Sequence, residues 1–157
     1  MWAKQGQRPI VAVNHRFQWL YVYGFVHPES GSAFLPLCPK VNTEQFGQTL
    51  QAFAQHIGAG AEKRVLLLLD RASWHRSKKL VLPEGIHPLW LPPYSPELQP
   101  AEHLWPLTNE GIANECFETL DALIAKQRLR CEILQSKPAL IQQTTCFHWW
   151  PTHINDN

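Results

Sequence analysis

The chain has 157 residues, 45% hydrophobic and 17% charged, which is the balance of one folded domain with a sizeable core and excludes a disordered segment. A formal net charge of +1 is weak for a protein that grips nucleic acid unaided, because that affinity comes mainly from neutralised phosphates. The longest apolar run falls far short of a membrane span and the opening MWAKQGQRP lacks the apolar core of a signal peptide, so no membrane role and a cytoplasmic location are expected.

In chain order, residues 10–13 form a short strand candidate after Pro9, and residues 17–26, FQWLYVYGFV, a stronger one. Both faces of the latter are apolar, which predicts cover on both sides. HPESGS reads as a hairpin turn with Gly31 available for positive φ, and residues 33–38 as the returning strand. An amphipathic helix follows. Asn42 is its N-cap with Gln45 three positions on, Phe46, Leu50, Phe53 and Ile57 share one face, and Gly58 suits the position just past its end. The continuous aliphatic run Val65–Leu69 predicts a buried parallel strand.

Residues 77–81 read as a short helix and 87–91 as a strand stopped by Pro92 and Pro93. Pro100 suits the first turn of a new helix with Gln99 as its cap, and Pro106 is expected to kink or end it. Residues 117–134 read as a longer helix with Leu120, Leu123, Ile124, Leu129, Ile133 and Leu134 as its apolar members, and a tail ending in HWWP closes the chain. Antiparallel strands first and α/β units afterwards predict a mixed sheet with helices packed on it, with no internal repeat or interdomain linker.

Cys38, Cys116, Cys131 and Cys146 are widely spaced without a CxxC pair, so buried or incidental thiols are expected in preference to zinc ligands. The eight histidines show neither HxH nor HExxH spacing. The acids are more informative. Asp70 ends its strand at the carboxyl end, where open α/β sheets bind ligands. Glu102 falls in the first turn of the next helix, after the chain has returned through one more helix and strand, and there the helix dipole favours a negative charge. Two carboxylates so placed offer hard oxygen ligands to a divalent cation. A two-metal centre for in-line displacement at a phosphodiester carries more positive charge than two acids and a phosphate offset, so a third acid is called for. On spacing alone, an ordinary strand-end Asp and a helix-capping Glu explain the same residues.

The wider motif LLLLDRASWHRS…LPPYSPELQPAEHLWPLTNE resembles the bacterial insertion-sequence branch of the Tc/mariner transposases. Further similarity runs from GQRPIVAV and WLYVYGFVHPESG through FETLDALIAK to the terminal FHWWP, over essentially the whole chain. The resemblance implies an α/β, ribonuclease-H-like mixed sheet flanked by helices, and one catalytic domain over residues 1–157. It implies a DDE (Asp-Asp-Glu) site that cuts and joins DNA at transposon ends with Mg²⁺ or Mn²⁺. Asp70 matches the second acid and Glu102 the third, both as catalytic residues and metal ligands. His75 matches a His that follows the second acid, for which a role near the scissile phosphate and a structural hydrogen bond both stay open. Arg71, Arg76, Lys78 and Lys79 are candidate DNA contacts, with a solvated basic face as the other reading. Tyr94, Ser95 and Pro96 are expected to shape the turn that delivers Glu102, and Trp74 and Trp105 to be core aromatics.

The family's pattern also implies helix-turn-helix DNA-binding modules and a strand bearing the first acid ahead of Met1. Residues 2–9 match the connection after that strand, and Glu29, in a hairpin turn, is a poor substitute for the acid it carries. The fold is therefore expected to lack its first central strand, beside the strand ending at Asp70. The gap would be filled by residues 10–13, by a second copy in a homodimer, or by a complementing N-terminal half. Three functions compete. The first is a transposase catalytic-domain fragment, incomplete alone. The second is a non-catalytic assembly partner or inhibitor of a full-length transposase. The third is another nuclease of the same fold, such as a ribonuclease H or junction resolvase, against which YSPELQP argues.

Overall fold

The structure is a computed structural model that describes Gly6 and residues 18–148; the strand candidate at 10–13 and the end of the HWWP tail lie outside the described residues. The elements are β1 (Tyr21–Val22), β2 (Phe25–His27), β3 (Ser32–Phe34), β4 (Leu37–Cys38), α1 (Thr43–Ile57), β5 (Val65–Leu69) and β6 (Ile86–Trp90). Two 3-10 turns follow, Pro96–Leu98 and Pro100–Leu104, then α2 (Trp105–Glu110), α3 (Leu120–Gln135) and α4 (Pro138–Thr145). This is the mixed α/β composition that the sequence predicts, with the strands gathered into three two-stranded sheets, β1–β4, β2–β3 and β5–β6, rather than one sheet.

The long strand expected over residues 17–26 is broken at Tyr23 and Gly24 into β1 and β2, with Phe17 outside the described residues. A Cβ on Gly24 would stand 2.9 Å from the Trp105 ring, so the chain yields its strand geometry to a close approach that only glycine allows. Its returning partner breaks at Leu35 and Pro36 into β3 and β4. Cover on both sides is not found for this segment, since Trp19 and Tyr21 are exposed. The turn between β2 and β3 is as expected, with Gly31 at φ 68.

Helix α1 follows its sequence signals closely. The Asn42 side chain accepts a hydrogen bond from the Gln45 N–H at 2.8 Å, and Gly58 closes the helix at φ 67. Its face of Phe46, Leu50, Phe53 and Ala54 forms the first core with Phe25, Leu69 and Ile86, and Phe53 stacks on Phe25 at a ring distance of 4.3 Å.

β5 and β6 pair in parallel, Val65 opposite Ile86 through Leu69 opposite Trp90. Val65, Leu67 and Leu69 lie on the face that packs into the first core. The other face is open among the described residues: Leu66 is 60% exposed and Leu89 is exposed beside it. The parallel pairing is as predicted, whereas the full burial is not. Pro88 is accommodated because β6 has a described neighbour on one side only.

Residues 77–81 are not helical. One turn forms, the Leu80 N–H reaching the Ser77 carbonyl, but the Ser77 hydroxyl takes the Lys79 N–H, a local bond that competes with helix.

The second core joins Ala33 and Leu35 of the hairpin to Leu104, Cys131, Leu134 and Ile141. The helix expected over 117–134 is α3, capped by the Thr119 hydroxyl accepting from the Ala122 N–H. Its buried face is Gln127, Cys131 and Leu134; Leu129 is 54% exposed and Ile133 is also outward. The expected apolar set is thus corrected. The hairpin and α2 meet α3 on the stripe of Gln127, whose amide donates to the Thr108 carbonyl at 3.4 Å, and Leu129 and Ile133 ride on the solvent side while Leu120, Leu123 and Ile124 are half-buried. Helix α4, with Pro138 at its first turn, replaces the first part of the expected tail.

Candidate active site

β5 delivers Asp70 at its carboxyl end, and the chain turns at once. The Ala72 N–H donates to Asp70 Oδ1 at 3.0 Å, and the N–H groups of His75 and Arg76 donate to the Ala72 carbonyl. This turn carries the His75 ring back onto the acid, where Nδ1 lies 2.6 Å from Asp70 Oδ1. His75 is 9% exposed and packs against Phe46 at a ring distance of 4.1 Å, with Trp74 edge-on. Burial pushes the basicity of His75 down, against the opposing pull of the Asp70 charge and hydrogen bond. A carboxylate only accepts, so Nδ1 carries the proton and donates it to Asp70. Nε2 is left buried without a partner.

The carboxyl ends of β5 and β6 are tied together just past their last pair. The Leu91 N–H donates to the Leu69 carbonyl at 2.9 Å, and Arg71 Nε donates to the Leu91 carbonyl at 3.0 Å. Arg71 therefore holds the two strand ends in register, a role that sequence reasoning did not assign it. Arg76, Lys78 and Lys79 are exposed on the loop beyond His75.

From β6 the chain runs through Pro92, Pro93 and Tyr94, the last at φ 58, and the Ser95 hydroxyl donates to the Pro93 carbonyl at 3.4 Å. Two 3-10 turns follow where an α-helix was expected. In the second, Pro100, Ala101 and Leu104 are buried, which leaves Glu102 half-buried on the outer side. Glu102 N–H donates to the Gln99 carbonyl at 3.0 Å, and the Gln99 side chain makes no cap. Pro106 does not end a helix: it sits in the first turn of α2, where the 3-10 turn passes into α-helix and a missing N–H costs nothing. Trp74 packs against the first core and Trp105 against the second, as expected of core aromatics.

Glu102, Glu97 and His103 line an open depression of about 430 Å³ with Pro96, Pro106 and Thr144; Asp70 is not among its lining residues. Both acids follow the carboxyl ends of the parallel strands. Among the described residues, however, no group of three or more His, Cys, Asp and Glu side chains could hold a metal ion. The donors are the right kind for a hard divalent cation, carboxylate oxygens, but the described residues do not assemble a complete cage. The cysteines form no disulfide among the described residues: Cys38 and Cys131 are buried, and burial pushes their thiols up, Cys131 to about 11. No described helix is long and apolar enough to cross a membrane.

The chain is thus a mixed α/β scaffold in which Asp70 and Glu102 both follow, in sequence, the carboxyl ends of a parallel strand pair. The chain belongs to the DDE superfamily endonucleases, whose family pattern matches residues 1–124, a span that includes both Asp70 and Glu102. It is also 33% identical over 107 residues to the uncharacterized protein y4pE/y4sA of Sinorhizobium fredii, a match covering 68% of this chain and 78% of that protein. No solved structure matches it.

Proposed function

We propose that this chain is part of the catalytic domain of a bacterial Tc/mariner-type insertion-sequence transposase, which cleaves and joins DNA at transposon ends. Asp70 and Glu102 are its second and third metal-binding acids, for Mg²⁺ or Mn²⁺. The observation that carries the reading is the way Asp70 is held. One oxygen is fixed by the Ala72 N–H and by His75, and the side chain is half exposed at the strand end, open for a cation. His75, buried and bonded to the acid, serves in this reading to hold Asp70 rather than to touch DNA. Arg76, Lys78 and Lys79, exposed beyond it, contact phosphate, and Arg71 braces the strand ends beside them. The ribonuclease-H-like sheet is the larger fold into which the β5–β6 pair and the antiparallel hairpins fit.

The test is nicking of plasmid DNA bearing the element's ends, with Mg²⁺ or Mn²⁺, by the chain supplied together with a complementing N-terminal half that carries the first acid. Cleavage that is lost in Asp70→Ala and in Glu102→Ala supports the assignment; cleavage unchanged in both overturns it.

A second reading rests on β5. Among the described residues it has a strand on one side only, and its outer face exposes Leu66. Parallel strands are normally covered and flanked. This favours an added strand, from residues 10–13, from a second copy or from a complementing N-terminal half, and in the latter two cases a role as assembly partner or inhibitor of a full-length transposase. Association with such a partner, without metal-dependent nicking, is the result that would select it.

A further inference from the structure

Tyr94 is placed at the fold's expense. Its φ of 58 lies in the left-handed region, where a Cβ crowds the following carbonyl and Gly or Asn is the favoured residue. The other described residues with positive φ are of the favoured types: Gly6, Gly31, Gly58 and Gly85 are glycine, and Asn114, at φ 63, is asparagine. The ring gains nothing in return, because Tyr94 is 100% exposed, and an aromatic side chain normally stabilises through the area it buries. Backbone strain combined with an unburied ring points from the fold toward a ligand.

Its position says what kind. Tyr94 stands on the loop between β6 and the turn that presents Glu102, next to Pro92 and Pro93 and close in sequence to Glu97. Both faces of the phenol ring are open, which suits a flat, uncharged, aromatic partner. On DNA such a surface is the face of a base, and in a paired duplex base faces are hidden by stacking. We propose that Tyr94 stacks on an unpaired base beside the bond being cut or joined, acting as a positioning residue for the DNA strand. This rests on the proposed action on DNA.

The experiment measures fluorescence anisotropy of a labelled single-stranded oligonucleotide and of its fully paired duplex at low salt. It compares the wild type with Tyr94→Phe, Tyr94→Ala and Tyr94→Asn, and takes melting temperatures alongside. Tyr94→Phe is expected to keep single-strand affinity, because the ring is retained. Tyr94→Ala and Tyr94→Asn are expected to bind the single strand about 5- to 150-fold more weakly, with duplex binding unchanged. Tyr94→Asn should also melt at a higher temperature than the wild type, which a merely structural role would not allow. Equal single-strand binding by the wild type and Tyr94→Ala, or a lower melting temperature for Tyr94→Asn, overturns the assignment while the action on DNA stands. A wild type that binds neither oligonucleotide overturns both.

Discussion

His75 Nδ1 lies 2.6 Å from Asp70 Oδ1, with the rest of the ring enclosed by Phe46 and Trp74. The enclosure makes the neutral ring a hydrogen-bond donor that fixes one oxygen of a strand-end acid. Because burial holds the His75 pKa below its ordinary 6.5, the unfolded chain takes up this proton first as the pH falls. The stability contributed by the neutral ring is therefore complete above about pH 6.5 and is lost as the pH drops from there toward the folded value. Urea midpoints should fall on going from about pH 7.5 to pH 5.5, and His75→Phe, which keeps the packing and removes the titration, should flatten that part of the profile. An unchanged slope in His75→Phe would assign the pH dependence to other groups.

The inner face of α3 is defined by a contrast. Leu134 is fully buried in the second core whereas Leu129 is half exposed. Leu134→Ala should cost about 2–5 kcal/mol, and Leu129→Ala should stay within about 0.5 kcal/mol. Chemical denaturation checks both, and equal losses would contradict this orientation of the helix.

Two glycines separate backbone conformation from crowding. Gly31 and Gly58 have nearly the same φ, 68 and 67. A Cβ on Gly58 meets nothing within 4 Å, whereas one on Gly31 would overlap the Pro138 carbonyl at the start of α4. Gly58→Ala should lose about 1–2 kcal/mol, the conformational cost alone. Gly31→Ala should lose clearly more, because the hairpin turn and α4 must separate. Similar losses in the two variants would show that the turn and α4 do not stay packed together.

What the sequence discloses depends on where the signal resides. α1 is readable because cap, periodicity and terminal glycine all agree, and β5 because five aliphatics end at an acid. The interruption at Gly24 depends on Trp105, far along the chain, so local pattern reads straight through it. In α3 the leucines outnumber the positions that the second core can cover, and packing selects Gln127 and Cys131 instead. α4 was within reach: Pro138 at its start and Ile141 and Thr145 one turn apart mark a short helix. For the site, the motif identifies Asp70 and Glu102, but the Arg71 brace and the burial of His75 arise from tertiary turns that spacing does not encode.

The exposed cations beyond His75 should act on DNA through charge. Replacing Arg76, Lys78 and Lys79 by Ala one at a time should weaken DNA binding to a similar degree whatever the sequence. Each should lower the slope of log affinity against log salt by about 0.7–0.9 for every phosphate no longer neutralised. Arg71→Ala should instead lower the melting temperature, because its Nε bond to the Leu91 carbonyl links the ends of β5 and β6. Unchanged salt slopes in all three exposed variants would make this a solvated face.

The central claim, that Asp70 and Glu102 are metal-binding acids, is tested most directly by Mn²⁺ binding to the folded chain, read by calorimetry or electron paramagnetic resonance. The wild type should bind, and Asp70→Ala and Glu102→Ala should each weaken binding by about tenfold or more, ~1.4 kcal/mol, with the fold intact by circular dichroism. Binding that is unchanged in both variants would contradict the account.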